Sequence, residues 1–518
     1  MTLTHRPAAI LTVLSLGLLA LYLAFPTKAY YWDGIVFAQA IEDVANGAAR
    51  FISLAHPNHL VYNFVGYFFY RLLRGFDADL RAITALQILN SIFSAGSATI
   101  LFLILRDTLR STYLTVCLTL LFALSATWWK FSTDANAYIP SVFFLLVSFY
   151  LVLPERKARP LLCALSFFAA MCFHELAVIA FLVFALGIYW QDRALAVGRR
   201  LREVIVFTGV SFVLIVSAYA AAFYFTTGSL AVARLLRWTA SYSPDADRRF
   251  AFWSNLVYSL RGQVRLFFGG RLNLLRGLMN PLITLLIALF AIAVLWLLYA
   301  VVASLVTLKR RTREVGLLPQ QKDVQPSRQR KTVLRLALLW TVVYLVFLFF
   351  WLPQNTFYRV FYLPGIPILL GLALSAFSQT ASRRTFGTAA FVVAAGLGNF
   401  LFLIYPYSHV EKYPPLAFAL ELNREWPRGT VVYYGSQNSD EALVRYFTKG
   451  TEWKLLSAQL PGDTGAWPET SAWLETSAID RLSATPEGAR WLQTHTRPGS
   501  LRELNNGAYR IRFVQISP

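Results

Sequence analysis

Long apolar runs alternate with short polar breaks over the first 405 residues of the chain. Several runs reach 18 residues or more with few charges, which lets a helix cross a hydrocarbon layer of about 30 Å. The runs predict about eleven crossings, near residues 8–25, 80–105, 112–127, 138–153, 161–173, 175–190, 204–226, 281–306, 333–352, 361–378 and 386–405. The pattern therefore predicts a polytopic α-helical membrane protein.

The run from Leu161 to Trp190 fits one long helix or two short helices that turn at His174. Two helices put the basic loops 154–160, 191–200, 309–331 and 382–384 on the same side of the membrane. Because basic loops favour the cytoplasmic side, we expect the two-helix hairpin. The N-terminus is then cytoplasmic in a multi-pass protein of the inner or plasma membrane. The segments 26–79, 128–137, 227–280, 353–360 and the tail then lie outside the cytoplasm.

The pattern changes after residue 405, where strand-like and helix-like stretches alternate. We expect strands at "GTVVYYGSQ", "EWKLLSAQL" and "AYRIRFVQIS", and a capped helix at "SDEALVRYF". This alternation predicts a small α/β soluble domain at 406–518, outside the cytoplasm, following a transmembrane domain at 1–405.

The charge of +21 would suggest a nucleic-acid partner in a soluble protein, but it is unevenly distributed. From His409 onward 12 Lys and Arg balance 12 Asp and Glu, so the whole excess lies among the apolar runs. Membrane lipids and helix orientation explain basic residues in that position, and no nucleic-acid partner is expected. The three cysteines all lie in apolar runs without zinc-ligand spacing, so neither disulfides nor structural zinc are expected.

The first external loop, 26–79, contains an unusual set of polar residues. Asp33 lies in "YYWDG", Glu42 and Asp43 follow on an amphipathic stretch, and "AHPNHLVYN" contributes His56 and His59. The stretch from about 58 to 73 predicts a helix along the membrane surface, because counting it as a crossing would invert every later loop. Pro57 and Asn58 fit helix punctuation, which leaves both histidines unexplained.

An outer Asp followed by "AHPNHLVYNFVGYFFYRLL" and a span opening at "LRAITALQILNSIF" resembles the first external loop of GT-C glycosyltransferases. These enzymes use polyprenyl-phosphate sugars, and the likeness is nearest to protein O-mannosyltransferase-like members, whose pattern runs "HPPGYPLY". The chain has His56, Pro57, Leu60 and Tyr62 but lacks the second proline and the glycine.

Three later loops extend the resemblance. "WWKFSTDANAYIP" matches the family's Ala-Glu-x-Tyr at Ala135 and Tyr138, with Asn136 at the acid's position and Asp134 two residues earlier. "FHELAV" supplies His174 and Glu175, for which a plain polar turn is an equal alternative. "PQNTFYRVFYLPGIPIL" resembles the late external loop and supplies Tyr358 and Arg359. A snorkelling interfacial arginine is the alternative for Arg359.

The resemblance implies a transferase that moves a sugar from a polyprenyl-phosphate donor to an acceptor hydroxyl outside the cytoplasm, with inversion. The phosphate leaves as an anion, so it needs positive charge, and the acceptor needs a base. We assign the base to Asp33 and phosphate binding to Arg359. The sugar or acceptor would be bound by the remaining candidates, His56, His59, Asp134, Tyr138, His174, Glu175 and Tyr358. No cofactor is expected to be obligatory, although some GT-C relatives use a divalent metal ion.

Two other interpretations remain open. A transporter or lipid flippase would use outer acids and histidines as a path, but usually has repeated halves and charges at mid-membrane. A non-catalytic scaffold would bind a partner through the tail.

The external loop 227–280 has eight arginines against two aspartates, which favours an amphipathic segment on anionic headgroups. The sharper alternative is that one or two of these arginines help to bind the phosphate.

Overall fold

The computed structural model describes residues 5–109, 111–154, 156–191, 195–240, 250–270, 324–375, 381–435, 439–456, 471–505 and 510–517. The chain divides into two compact units, Met1–Pro26 with Ala40–Tyr405 and Thr27–Gln39 with Pro406–Pro518. The first unit is helical, and the second contains a β-sheet. The second unit thus includes thirteen residues of the predicted first external loop.

The described helices up to residue 399 include one near each predicted apolar run outside 281–306, together with helices in the predicted external loops. They are α1 His5–Ala24, α2 Trp32–Ala45, α3 Tyr62–Arg74, α4 Ala82–Leu109, α5 Thr112–Ala123, α6 Ala126–Ser132, α7 Tyr138–Leu151, α8 Pro160–Phe173, α9 Phe181–Gln191, α10 Val197–Thr227, α11 Val232–Ala240, α12 Phe252–Phe267, α13 Val324–Trp351, α14 Gly365–Ser375 and α15 Ala381–Asn399. Short 3₁₀ turns cover Phe51–Leu54, Pro57–His59, Glu175–Ala180 and Phe357–Phe361. A π turn at Phe400–Ile404 and a short helix at Tyr405–Tyr407 continue α15.

Four helices of the described ranges are long and apolar enough to cross a membrane, and a bent pair adds a fifth. The four spans are Ala82–Leu109, Val197–Thr227, Gln329–Trp351 and Gly387–Tyr407. Shorter apolar helices fill several other predicted positions, among them Tyr138–Leu151 and Pro160–Phe173. The predicted crossing at 281–306 lies outside the described residues, so the number eleven stays a prediction.

The crossing expected at 112–127 is wrong as a single helix. The chain bends by 68° between Thr112–Ala123 and Ala126–Ser132. Asn399 stabilises this break, because its Nδ2 donates to the Leu124 carbonyl at 2.8 Å and also to the Phe267 carbonyl. The break frees the Leu124 carbonyl, and a side chain from a distant helix donates a hydrogen bond to it. A hydropathy pattern does not reveal such a contact.

The predicted pair of helices around His174 is confirmed. The side chain of Gln191, at the end of α9, donates to the carbonyls of Leu151 and Leu153, where α7 ends. Arg156, just before α8, forms an ion pair with Asp107 near the end of α4. The first residues of α8 and α10 line one groove. Since α8 leaves this end of the bundle and α9 returns to it, the loops 154–160 and 191–200 lie at one end, called here the basic end.

The surface helix predicted at 58–73 is present as α3, which begins at Tyr62. Its buried face includes Tyr62, Asn63 and Tyr70, whereas Phe68 and Leu72 are exposed. Gly66 packs against Leu86 and Ile41 so closely that a methyl group would not fit. Such a helix, apolar on its outer face, suits the interface of a membrane.

The small C-terminal sheet domain is confirmed. Five strands, β1 Val431–Tyr434, β2 Glu452–Leu455, β3 Ala472–Glu475, β4 Arg502–Asn505 and β5 Arg510–Ile516, pair in the order β2-β1-β3-β5-β4. The first three are mutually parallel, and β5 runs antiparallel to β3 and β4. Its helices are α16 Pro414–Glu425, α17 Ser439–Phe447, α18 Thr476–Ser483 and α19 Pro486–His495.

Aromatic side chains explain why 27–39 belongs to this unit. Tyr30 packs against the buried cluster that contains Leu422, Trp473 and Phe513. Its ring stacks on Phe447 with centroids 5.4 Å apart. Stacked aromatic pairs stabilise a core beyond their buried area, so the segment is attached through its own side chains.

Candidate functional site

Two histidines of the first external loop lie in one 3₁₀ turn of the first unit. The His56 and His59 rings stack with centroids 4.0 Å apart, and His59 is buried. Pro57 occupies the first position of the turn, as its fixed φ favours. Asn58, which fits a helix cap by sequence, caps neither this turn nor α3: Val61 precedes α3, and the Nδ1 atom of His56 accepts the hydrogen bond from the Asn58 N–H at 3.3 Å. His56 itself is the cap.

His174 plays the same structural role in the break between α8 and α9. It is buried and extended, and its Nδ1 atom accepts from the Leu176 N–H at 3.2 Å. The Val61 N–H donates to the Cys172 carbonyl at 3.0 Å, which joins the two histidine turns. The three rings are close enough for their charges to interact, and His56, His59 and His174 form what we call the histidine cluster.

Burial keeps the histidine cluster neutral. It lowers the pKa of His56 to about 4 and that of His174 to about 3, where the charge of His56 also contributes. Burial likewise lowers the pKa of His59, followed by repulsion from the other two rings. In a neutral imidazole whose Nδ1 accepts a hydrogen bond, the proton lies on Nε2. His56 and His174 therefore present Nε2–H groups as donors at neutral pH.

Aromatic rings surround His174. The Tyr138 ring centroid lies 4.9 Å from His174, 5.5 Å from Tyr358 and 5.7 Å from Phe357. Phe131 completes the set at 5.8 Å from Tyr138. The structure thus brings Tyr138, His174 and Tyr358 together. Flat rings beside an imidazole donor can bind a pyranose, which has an apolar face and polar edges.

Arg359 follows Tyr358 in the same 3₁₀ turn and is only 1% exposed. The snorkelling alternative is therefore wrong, since a snorkelling side chain keeps its charge in water. The guanidinium of Arg359 donates to the Tyr362 hydroxyl at 2.9 Å and to the Pro353 carbonyl at 2.7 Å. Within the described residues no carboxylate forms an ion pair with Arg359, and its Nε has no hydrogen-bond partner. A buried cation in this condition is suited to an incoming anion.

Gly262 of α12 makes room for this guanidinium. A Cβ at residue 262 would lie 2.5 Å from the Arg359 Cζ. The next residue, Gln263, donates to the same Tyr362 hydroxyl that accepts from Arg359. Sequence reasoning placed Tyr362 beside Arg359 but missed Gly262 and Gln263, because no local pattern relates α12 to a turn almost a hundred residues later.

Asp134 is completely buried and paired. Its Oδ2 accepts from Lys130 at 3.3 Å, and its Oδ1 accepts from the Ala135 N–H. Asn90 of α4 donates to the carbonyls of Asp134 and Asn136, which fixes the loop. Sequence reasoning missed Lys130, although its i,i+4 spacing to Asp134 was a usable signal. The Lys130 side chain is 22% exposed, so the pair presents its positive member towards the surface.

The other acidic candidates have different surroundings. Glu175 is half-buried and lies near Tyr219 of α10, whereas the adjacent His174 faces Tyr138 and Tyr358. Asp33 is half-buried in the first turn of α2 and belongs to the second compact unit. Glu42 has a structural role: its carboxylate accepts from Arg81 and from the Ala82 N–H at the start of α4.

The arginines of the external loop 227–280 are exposed wherever the structure describes them. Arg234 and Arg237 lie on α11, and Arg261 and Arg265 lie on α12. The other four, Arg248, Arg249, Arg271 and Arg276, lie outside the described residues. Both helices also expose apolar side chains such as Leu236 and Trp253. This arrangement fits an amphipathic segment at a lipid surface.

Over the described part of the chain, no group of three or more His, Cys, Asp or Glu side chains is arranged to hold a metal ion. The candidate residues that the structure brings together in the first unit are neutral imidazoles, aromatic rings and a buried guanidinium. These groups can bind a sugar and an anionic leaving group.

Comparison with known proteins supports the fold. No protein-family profile matches the chain, and no curated protein matches it either. Two crystal structures of ArnT from Cupriavidus metallidurans are similar, one bound to undecaprenyl phosphate and one in the apo state. They give TM-scores of 0.59 and 0.60 at 11% identity and cover 98% of this chain and 97% of theirs. The chain thus shares, over nearly its whole length, the fold of a protein crystallised with a polyprenyl phosphate.

Proposed function

We propose that this protein is an integral membrane glycosyltransferase that moves a sugar from a polyprenyl-phosphate donor to an acceptor hydroxyl. The fold shared with ArnT supports a lipid-linked donor, since one ArnT structure contains undecaprenyl phosphate. The loop motifs that resemble GT-C enzymes occur on the same fold. The observation that carries the proposal is the buried Arg359 guanidinium, which no described carboxylate neutralises.

The leaving group explains the need for this guanidinium. When the bond between the anomeric carbon and the phosphate oxygen breaks, its electron pair stays on the phosphate. A preorganised cation in a site of low dielectric stabilises that developing charge. One terminal nitrogen of Arg359 donates to Tyr362 and the other donates to Pro353. These two hydrogen bonds fix the plane of the guanidinium. Three N–H groups remain for a phosphate.

The acceptor side requires a base. Asp33 accepts the proton from the acceptor hydroxyl while that oxygen attacks the anomeric carbon from the face opposite the phosphate. A new glycosidic bond forms as the phosphate leaves, so the configuration inverts. The proton on Asp33 passes to water after the product leaves.

The remaining candidates bind and orient the sugar. The Nε2–H groups of His56 and His174 donate to sugar hydroxyls, and the rings of Tyr138 and Tyr358 pack against its apolar face. His59 supports His56 by stacking. Asp134 acts through Lys130, whose ammonium it holds in place. Glu175, which lies near Tyr219 of α10, is the proposed contact for the acceptor.

Hexosyl donors, mannosyl donors first among them, are the proposed substrates because the loop motifs are nearest to O-mannosyltransferase-like members. Protein, glycan and lipid hydroxyls all fit a base plus a phosphate site. We place the reaction at the outer face of the cell membrane, with the N-terminus and the basic loops on the cytoplasmic side.

A panel of polyprenyl-phosphate sugars tests this proposal. The purified protein in detergent should unfold at a higher temperature with the correct donor, because a ligand that binds the native state stabilises it. Arg359→Gln should reduce that shift, whereas Lys157→Gln, an exposed position at the basic end, should retain it. Turnover should need no ion gradient. A strict requirement for a gradient across sealed vesicles would favour a transporter and overturn the proposal.

A further inference from the structure

A groove at the basic end is separate from the candidate active site. It has a volume of about 520 Å³ and lies between the first turns of α8 and α10. Three arginines, Arg159, Arg199 and Arg202, line it together with one carboxylate, Glu203. Its apolar wall consists of Pro160, Leu161, Leu162 and Val206. We call this feature the arginine groove.

The described arginines between residues 156 and 202 fall into two classes. Arg156 forms an ion pair with Asp107 and stacks on Tyr150 at 3.5 Å, and Arg200 stacks on Tyr189 at 4.7 Å. Neither of these two lines the groove. The three that do line it are exposed, and no described carboxylate forms an ion pair with any of them. Among these described arginines, the three without an ion pair or a stacking partner are therefore the ones that line the groove.

The apolar wall continues away from the charges. Leu161 and Leu162 are 54% and 46% exposed, and Leu165 one turn later is 50% exposed. On α10, Leu201 and Ile205 are exposed in the same manner. A ligand that fits must therefore combine a negative head with a long apolar chain. Inorganic anions supply only the first of these features, and neutral lipids supply only the second.

We infer that the arginine groove binds an anionic glycerophospholipid, with its phosphate between Arg159, Arg199 and Arg202 and an acyl chain along Leu161 and Leu162. Guanidinium groups can each grip a phosphate with two donors. The single Glu203 leaves two net positive charges in the lining, which favours an anionic head over a zwitterionic one. Orientation alone would also account for basic loops, but it would not require them to face a cavity with an apolar wall.

The test uses the full-length protein in detergent and measures bound phosphatidylglycerol by native mass spectrometry. Arg159→Gln, Arg199→Gln and Arg202→Gln combined should weaken binding about tenfold or more. The matched control combines Lys157→Gln, Lys331→Gln and Arg335→Gln, which removes the same charge from exposed positions outside the groove. The control should change the affinity by less than about twofold.

Further arms separate the alternatives. Phosphatidylcholine should bind much more weakly than phosphatidylglycerol, and inorganic phosphate should not compete at comparable concentration. Leu162→Gln, which keeps every charge, should weaken lipid binding without creating a folding defect, because residue 162 is exposed. Equal losses in the triple variant and its control would overturn the site, and so would equal affinity for the two lipids. Phosphate binding as tight as lipid binding would overturn the lipid assignment. Single variants such as Arg199→Gln provide the same comparison if the triple variant fails to fold.

Discussion

Replacing Arg359 by glutamine should lower kcat by about a hundredfold to a thousandfold, because one preorganised donor to a developing oxyanion contributes that much. The structure supports the upper part of this range. Arg359 is 1% exposed, so water cannot replace its charge, and three of its N–H groups are not used by Tyr362 or Pro353. Arg359→Lys keeps a charge but loses the fork, so we expect a smaller loss, about tenfold.

Stability needs a separate measurement. Arg359→Gln leaves the Pro353 carbonyl without its donor, at a cost of about 1–3 kcal/mol, whereas the Tyr362 hydroxyl still accepts from Gln263. Tyr362→Phe removes the same hydroxyl without touching the charge. It should therefore lower the unfolding temperature while reducing kcat by less than about tenfold. If kcat in these variants fell only in proportion to their loss of stability, Arg359 would have a structural role and no role in catalysis.

Gly262→Ala is a second way to disturb the guanidinium. The added methyl group would overlap Arg359, so the side chain must move although its charge remains. Gly209→Ala is the matched control, because a Cβ at residue 209 of α10 meets open space. The assay is release of polyprenyl phosphate from a sugar donor at saturation. Normal turnover in both Gly262→Ala and Arg359→Gln would refute the role of Arg359 in leaving-group departure.

Three further predictions concern the other candidates. Lys130→Met leaves the buried Asp134 carboxylate without its ion pair and should destabilise the protein by about 3 kcal/mol or more. Asp134→Asn should cost less, because Lys130 still reaches water. Denaturant unfolding in detergent measures the stability of both variants. His56 and His174 have pKa values of about 4 and about 3, below the unfolded value. Stability should therefore be full above about pH 6.5 and fall towards pH 4, by at most about 1.4 kcal/mol per pH unit for each histidine. His56→Asn, which can retain the cap, should flatten the unfolding temperature against pH, and an unchanged slope would contradict the assignment. Turnover should survive excess EDTA, and its loss with recovery on adding Mg²⁺ or Mn²⁺ would reveal a metal requirement.

The hydropathy pattern located most helices because their apolar length is a local property. It also placed the break at His174, since only two helices put the basic loops at one end. The bend between α5 and α6 was missed because Asn399, far along the chain, supplies its hydrogen bond. In the C-terminal unit, β3 and β4 were missed; β3 is buried at all four positions and β4 at none, so neither alternates between a buried and an exposed face.

The candidate site was partly predictable. Tyr138, His174 and Tyr358 were selected from loop motifs, and they meet in the structure. The burial of Arg359 was not predictable, because it depends on Gly262 leaving space on a separate helix. Capping by the histidines was also missed, since histidine is not among the usual caps.

The most direct test of the central claim is single-turnover transfer by the purified protein. A labelled polyprenyl-phosphate sugar is incubated with wild type and with Asp33→Asn in detergent, and the released polyprenyl phosphate is quantified. We predict release by the wild type and none above background by Asp33→Asn, with both proteins unfolding at the same temperature. Equal release by the two proteins would contradict Asp33 as the base, and no release by the wild type from any donor and acceptor would contradict the transferase itself.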